Sequence, residues 1–254
     1  MDDGMKTLTP AMQAAPDRQE VVTTGFLLVE PATLAHVPDL ASLDMRACTP
    51  RVLAHREELM PRLIDLAALN LEGQRIATKR WQEEPEVDRP PAICAWIDSA
   101  ADIDTLAEHV ARYLVGPGEG GRPVFWRYYD PRVLSLTLAV FDPSQRLALL
   151  GPVREWCFAW AGHRWRSAGL GADFVPLDDQ ASGWPRPDQW PRINRSEIAD
   201  RIRRRLPTLS VEQAAQSPAA LDQILCSLDG QDAMNMDALV DDAVQRMRHA
   251  FLTE

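Results

Sequence analysis

Apolar residues run almost unbroken from Val124 to Tyr129, with Arg127 the exception, and the pattern then switches to helical spacing at Leu134, Leu138 and Phe141. The first run predicts a buried or half-buried strand and the second a helix. Asp130 and Pro131 stand at the junction. An aspartate there can accept from the free N–H groups of a helix's first turn, and its charge suits the positive end of the helix dipole. Proline fits the first helical position because its missing N–H would have no partner. Asp142 and Pro143 repeat the device before Leu147, Leu149 and Leu150, and Gly151 closes that helix. The simplest role for Asp130 is therefore an N-cap.

Upstream, 23–30 is a strand candidate, and 34–43 is a short helix or turn broken by Pro38. Leu59, Leu63, Leu66 and Leu69 have a roughly helical period, although the first part of 59–71 suits an extended segment equally well. Residues 83–91 are charged and proline-rich and predict a loop, and 92–98 is a continuous apolar strand. Ser99 or Asp102 then caps a helix carrying Leu106, Val110 and Leu114, with His109 and Tyr113 beside that stripe and Gly116 ending it. The glycine-rich run 116–121 follows a helix and precedes a strand. That is the reverse of the order that aims N–H groups at a phosphate, so it predicts a turn. In 153–160, Trp156, Phe158 and Trp160 alternate as strand residues do, Ala161-Gly162-His163 turns, and 164–166 returns as a hairpin.

These elements predict an α/β fold. Residues 1–20 form a loose tail, and 21–175 a lobe with a mixed β-sheet and flanking helices. Residues 176–192, rich in proline, form a linker, and 193–254 a small all-helical lobe. In that lobe Asn194 with Glu197 resembles a capping box, Ser210 with Gln213 starts a second helix, Ser217 and Pro218 start a third, and 237–251 forms the last. Arg201, Arg203, Arg204 and Arg205 make the first of these basic, a pattern that fits a solvated face or contact with an acidic partner.

Composition narrows the classes. The chain has 254 residues and a net charge of −10, which argues against general nucleic-acid affinity. No apolar run approaches the ~20 residues of a membrane span. The N-terminus lacks the charged-then-apolar pattern of a signal peptide, which points to the cytoplasm. Cys48, Cys94, Cys157 and Cys226 have no paired spacing, so they read as reduced packing residues. Cys157 and His163 alone make too few ligands for a metal, and no cofactor is expected. Catalytic motifs such as Gly-x-Ser-x-Gly, His-Glu-x-x-His and Gly-x-x-x-x-Gly-Lys are absent from the sequence. One enzymatic alternative remains: a small hydrolase-like site using His109, Asp130 and Arg132. Trp156, Trp160 and Trp165 serve either sheet packing or a partner-binding surface.

The segments FWRYYDPRVL at 125–134, AICAWIDSAADIDTLAEHVARYL at 92–114 and LLGPVREWCFAWAGHRW at 149–165, with MPRLIDLAAL at 60–69, occur in an order that resembles the type VI secretion effector chaperones, or adaptors. The resemblance covers roughly 25–166. It implies a cytoplasmic, non-enzymatic protein of a Gram-negative bacterium. Such a protein binds a cognate toxic effector and helps load it onto the C-terminal region of the valine-glycine repeat spike protein. The family motif falls on Arg127, Tyr128, Asp130, Pro131 and Arg132, in a structural or partner-binding role. An immunity protein that neutralises a toxin would share the binding logic.

Overall fold

The computed structural model describes residues 11–16, 22–86, 90–175, 180–228 and 236–252. In chain order the strands are β1 (Gln13–Ala14), β2 (Phe26–Val29), β3 (Arg46–Ala47), β4 (Arg62–Asp65), β5 (Ile93–Ser99), β6 (Val115–Pro117), β7 (Pro123–Phe125), β8 (Val153–Trp160) and β9 (His163–Ala168). The helices are α1 (Pro38–Ala41), α2 (Leu71–Glu83), α3 (Ile103–Arg112), α4 (Pro131–Val140), α5 (Pro143–Leu150), α6 (Trp190–Ile193), α7 (Ser196–Arg204), α8 (Val211–Ser227) and α9 (Met236–Leu252). Seven strands form one sheet in the order β1-β9-β8-β5-β2-β4-β3, with every neighbouring pair antiparallel. The expected α/β class, with flanking helices and a helical C-terminal region, is what the chain adopts, while the sheet expected to be mixed is antiparallel throughout the described strands.

The central strands are buried on both faces, which is why they read as continuous apolar runs. Leu27, Val29, Ile64, Ile93 and Trp96 face one core with Leu40 of α1 and Ala77 and Trp81 of α2. Phe26, Leu28, Leu63, Ile97, Trp156 and Phe158 face the other, with α3, α4, α5 and the C-terminal helices. β8 and β9 join through Ala161 and Gly162, at φ 54° and 80°. A two-residue hairpin turn matched to strand twist needs positive φ at both positions.

Helix α4 organises the second core. Leu134, Ser135, Leu136, Thr137, Leu138 and Val140 are all buried, and only Arg132, Val133 and Ala139 are part-exposed, so no whole side of the helix is left for solvent. It packs against β8 on one side and against α6, α7 and α8 on the other. Of the stretch expected as a linker, 176–179 lie outside the described residues and the rest is packed: Trp184 and Trp190 are buried in the same core, with ring centroids 5.3 and 5.8 Å from Trp126. Gln145 and Gln189 exchange amide hydrogen bonds of 2.9 Å, and Gln145 also donates to the Trp184 carbonyl. Prolines there set corners, and the apolar side chains between them fill the core.

Other expectations are corrected by the structure. Trp126–Tyr129 leave the strand and form a turn. Only Pro123–Phe125 pair, with Val115–Pro117, in a two-stranded ribbon apart from the main sheet. The aromatic run is apolar because Trp126, Tyr128 and Tyr129 plug the core individually, without a ladder. Residues 59–71 hold β4 rather than a helix, and the helix starts at Leu71 with Asn70 accepting from the Gly73 N–H. Of the expected tail, Gln13–Ala14 pair with β9 and Met12 is buried, while 1–10 and 17–20 lie outside the described residues. α3 stops at Arg112, and Gly116 sits in β6. Asn194 caps nothing at α7: it ends α6, and Arg195 precedes α7 without a side-chain cap. The two helices expected after Ser210 are one, α8, with Pro218 inside. Proline leaves the carbonyl four residues back without its N–H partner, and the Ser217 hydroxyl donates to that Ala214 carbonyl instead.

If the tryptophan cluster clamps the C-terminal helices to the α/β layer, Trp184→Ala removes a buried ring and its bond to the Pro117 carbonyl. The expected cost is about 3–5 kcal/mol of unfolding free energy, read from urea denaturation followed by tryptophan fluorescence.

Candidate functional site

The site with the most chemistry is the corner before α4. Asp130 is 2 % exposed and Glu30 3 %. Each precedes a proline and each caps a helical turn. Asp130 accepts from the Arg132 N–H at 3.0 Å to start α4, and Glu30 accepts from the Ala32 N–H at 3.1 Å to start the 3₁₀ turn Pro31–His36. Arg127 joins the two caps across 97 residues of sequence, donating from Nη2 to Glu30 Oε2 at 2.7 Å and to Asp130 Oδ2 at 3.2 Å. Arg132 grips Asp130 with Nε on Oδ1 at 2.9 Å and Nη2 on Oδ2. The Tyr129 hydroxyl donates to Glu30 at 3.2 Å.

Two carboxylates and two guanidiniums thus balance within one cluster. Asp130 holds the Arg132 guanidinium above its ordinary pKa despite partial burial. Burial works against the charge on Arg127, and the Glu30 and Asp130 carboxylates beside it favour that charge and hold the pKa raised. Burial, and then the Glu30 carboxylate, push the Tyr129 phenol well up, so it stays a donor at neutral pH. Nε of Arg127 is buried without a partner among the described residues.

Of the motif residues, Arg127, Asp130, Pro131 and Arg132 meet at this corner, while Tyr128 points into the core and donates to the Val110 carbonyl. Glu30 and Tyr129 complete the cluster and were not anticipated. The available signal was the Glu30-Pro31 pair at the end of a strand, the same acid-proline device as Asp130-Pro131.

The hydrolase-like trio does not converge. Asp130 points back at its own helix, as a cap does. His109 lies elsewhere, with Nε2–H donating to the Leu149 carbonyl at 2.9 Å and its ring edge-on to Tyr113 and Phe174. Gly151 permits this placement: a Cβ there would lie 2.0 Å from the imidazole, and its φ is +54°. Cys157 and His163 also diverge: Cys157 donates to Glu155, and His163 bonds the Leu209 carbonyl. No group of three His, Cys, Asp or Glu among the described residues is placed to hold a metal ion. Trp156 and Trp165 are fully buried and Trp160 nearly so, which matches sheet packing, one of the two roles open to them. They belong to the sheet's inner face, where strand alternation puts them. No helix among the described residues is long and apolar enough to cross a membrane.

Two predictions follow from this geometry. Asp130→Ala leaves two arginines facing a void and uncaps α4, so the expected loss is about 3–5 kcal/mol, measured by chemical denaturation. His109 is held neutral by burial, with its pKa lowered to about 4. The unfolded chain binds this proton near pH 6.5 and the folded chain only near 4. Stability is therefore full above about 6.5 and falls as pH drops toward 4, by on the order of 3 kcal/mol from this residue. His109→Gln is expected to flatten that part of the stability–pH curve.

No curated protein and no solved structure matches the chain. Residues 26–148 match the family model of a domain of unknown function, DUF4123, a span that begins with β2, ends within α5 and contains the whole Glu30–Arg127–Asp130–Arg132 corner.

Proposed function

We propose that the protein is a type VI secretion effector chaperone, or adaptor, that binds a cognate toxic effector in the cytoplasm and helps load it onto the C-terminal region of the valine-glycine repeat spike protein. The observation that carries this reading is the family-model match over 26–148, together with the ordered motifs centred on FWRYYDPRVL. The geometry is compatible with binding rather than turnover at the motif: its acid is spent as a helix cap and an ion-pair partner. With the tryptophans internal, contact with a client falls to exposed groups. Phe125 stands on the β6–β7 ribbon, and Leu170 and Val175 border an apolar depression against Leu147 and Phe174.

The test is a tagged pull-down from the native bacterium with secretion induced, followed by mass spectrometry. Recovery of one effector together with the spike protein is the expected result, and deleting the gene is expected to abolish that effector's export without poisoning the producing cells. Self-intoxication on deletion would indicate an immunity protein instead. Recovery of neither partner would remove the reading.

A further inference from the structure

We propose that a groove running past Arg132 binds an acidic segment of a polypeptide partner, with Arg203 as the residue that selects for its charge. The inference rests on the binding reading above and names the chemistry of the partner segment.

Two depressions meet at Arg132. One, of about 730 Å³, lies among Glu30, His36, Pro90 and Arg127. The other, of about 310 Å³, lies between the β8–β9 turn and the start of the α7–α8 connection, among Trp160, Asp200, Arg203, Arg204 and Pro207. Prolines 85, 90, 91, 131 and 207 wall the two, so the channel has rigid sides suited to an extended chain.

The charges along it are arranged in depth. The acids lie deeper, Asp200 part-exposed and the others buried, and are already engaged. Glu30 and Asp130 are held as described, and Glu84 accepts from the Ala92 and Ile93 N–H groups. Asp200 takes Arg204 at 2.8 Å. The arginines form the outer layer: the Arg127 side chain is 41 % exposed and that of Arg204 36 %. Nη1 of Arg127 and Nη1 of Arg132 make no hydrogen bond among the described residues, while the Nη2 of each is fixed.

Arg203 is the distinguishing member. On the same helical stretch Arg201 pairs with Glu197, Arg204 with Asp200 and Arg205 with Asp241. Arg203 lines the groove, is only part-exposed, and has no hydrogen bond or ion pair among the described residues. A guanidinium with all its donors unused beside two half-used ones is a receptor for carboxylates, which it takes in bidentate geometry. The chain's net charge of −10 repels polyanions at long range, so this local layer suits a short acidic peptide better than a nucleic acid.

The test uses the full chain and a fluorescein-labelled decapeptide of alternating Glu and Ala, with a Gln-Ala counterpart, read by fluorescence anisotropy. The acidic peptide is expected to bind at least about tenfold more tightly than the neutral one. Arg203→Glu is expected to abolish that difference with an unchanged melting temperature, and Arg201→Glu, on the same helix but outside the groove, to preserve it. Equal binding of the two peptides, or equal loss in both variants, would overturn the proposal. A single-stranded oligonucleotide that outcompetes the acidic peptide would overturn the polypeptide assignment. In the native pull-down, Arg203→Glu is expected to lose the effector. An effector retained by Arg203→Glu, with no peptide selectivity in the wild type, removes the groove and leaves the chaperone reading intact. Peptide selectivity without any effector recovered removes the chaperone reading and leaves the groove.

Discussion

Helix α4 is buried nearly all the way round, and much of the molecule follows from that. Its buried Leu134, Leu136, Leu138 and Val140 point in different directions around the axis, so it must be covered on two sides at once. The sheet supplies one cover through β8, and α6, α7 and α8 supply the other. The C-terminal helices are thus the second wall of the compartment in which α4 sits. Short amphipathic helices of this kind are marginal alone, and their stability comes from the surface they close. The buried tryptophans at 184 and 190 make the transition from sheet layer to helical wall without a gap.

The corner before α4 fixes where that helix begins. Asp130 there is both a cap and the acid of an ion pair, so its charge is satisfied by backbone and side chain together. Burying charges gains little net stability, because desolvation offsets most of the attraction. What the arrangement supplies is register. Arg127 and the Tyr129 hydroxyl both reach Glu30 just past β2, so the first strand of the matched family region and the corner that starts α4 are held to one another by side chains 97 and 99 residues away in sequence.

The parts of this fold that could be read from the sequence are those decided by near neighbours. Asp130, Asp142 and Ser210 act as caps within three residues of themselves. At the hairpin turn Gly162 enters positive φ freely, while Ala161 is held there at φ 54° by the two strands it joins. What could not be read depended on distant packing. The apolar run at 124–129 looks like a strand because the pattern records burial, not hydrogen-bonding partners. Helix α2 escaped notice because it is highly polar, with only Gly73, Ala77, Thr78 and Trp81 buried. Leu63 and Leu66 share a helical spacing with Leu59 by coincidence: the first two are core residues and Leu59 is exposed. Glu30 and Arg127 are 97 residues apart, and no local rule brings them together. The basic run at 201–205 was visible in the sequence, but that Arg201, Arg204 and Arg205 are paired, and Arg203 unpaired among the described residues, depends on where the fold puts Glu197, Asp200 and Asp241.

Both margins of the large sheet end in strands two residues long, β1 at one side and β3 at the other. An edge that short presents too few free N–H and C=O groups to template another strand. This has a consequence for how the molecule meets other polypeptides. Indiscriminate backbone zippering, the route by which sticky sheets collect any unfolded chain, is blocked at both ends. Any contact with another chain there is left to side chains, whose shape and charge differ from one partner to the next.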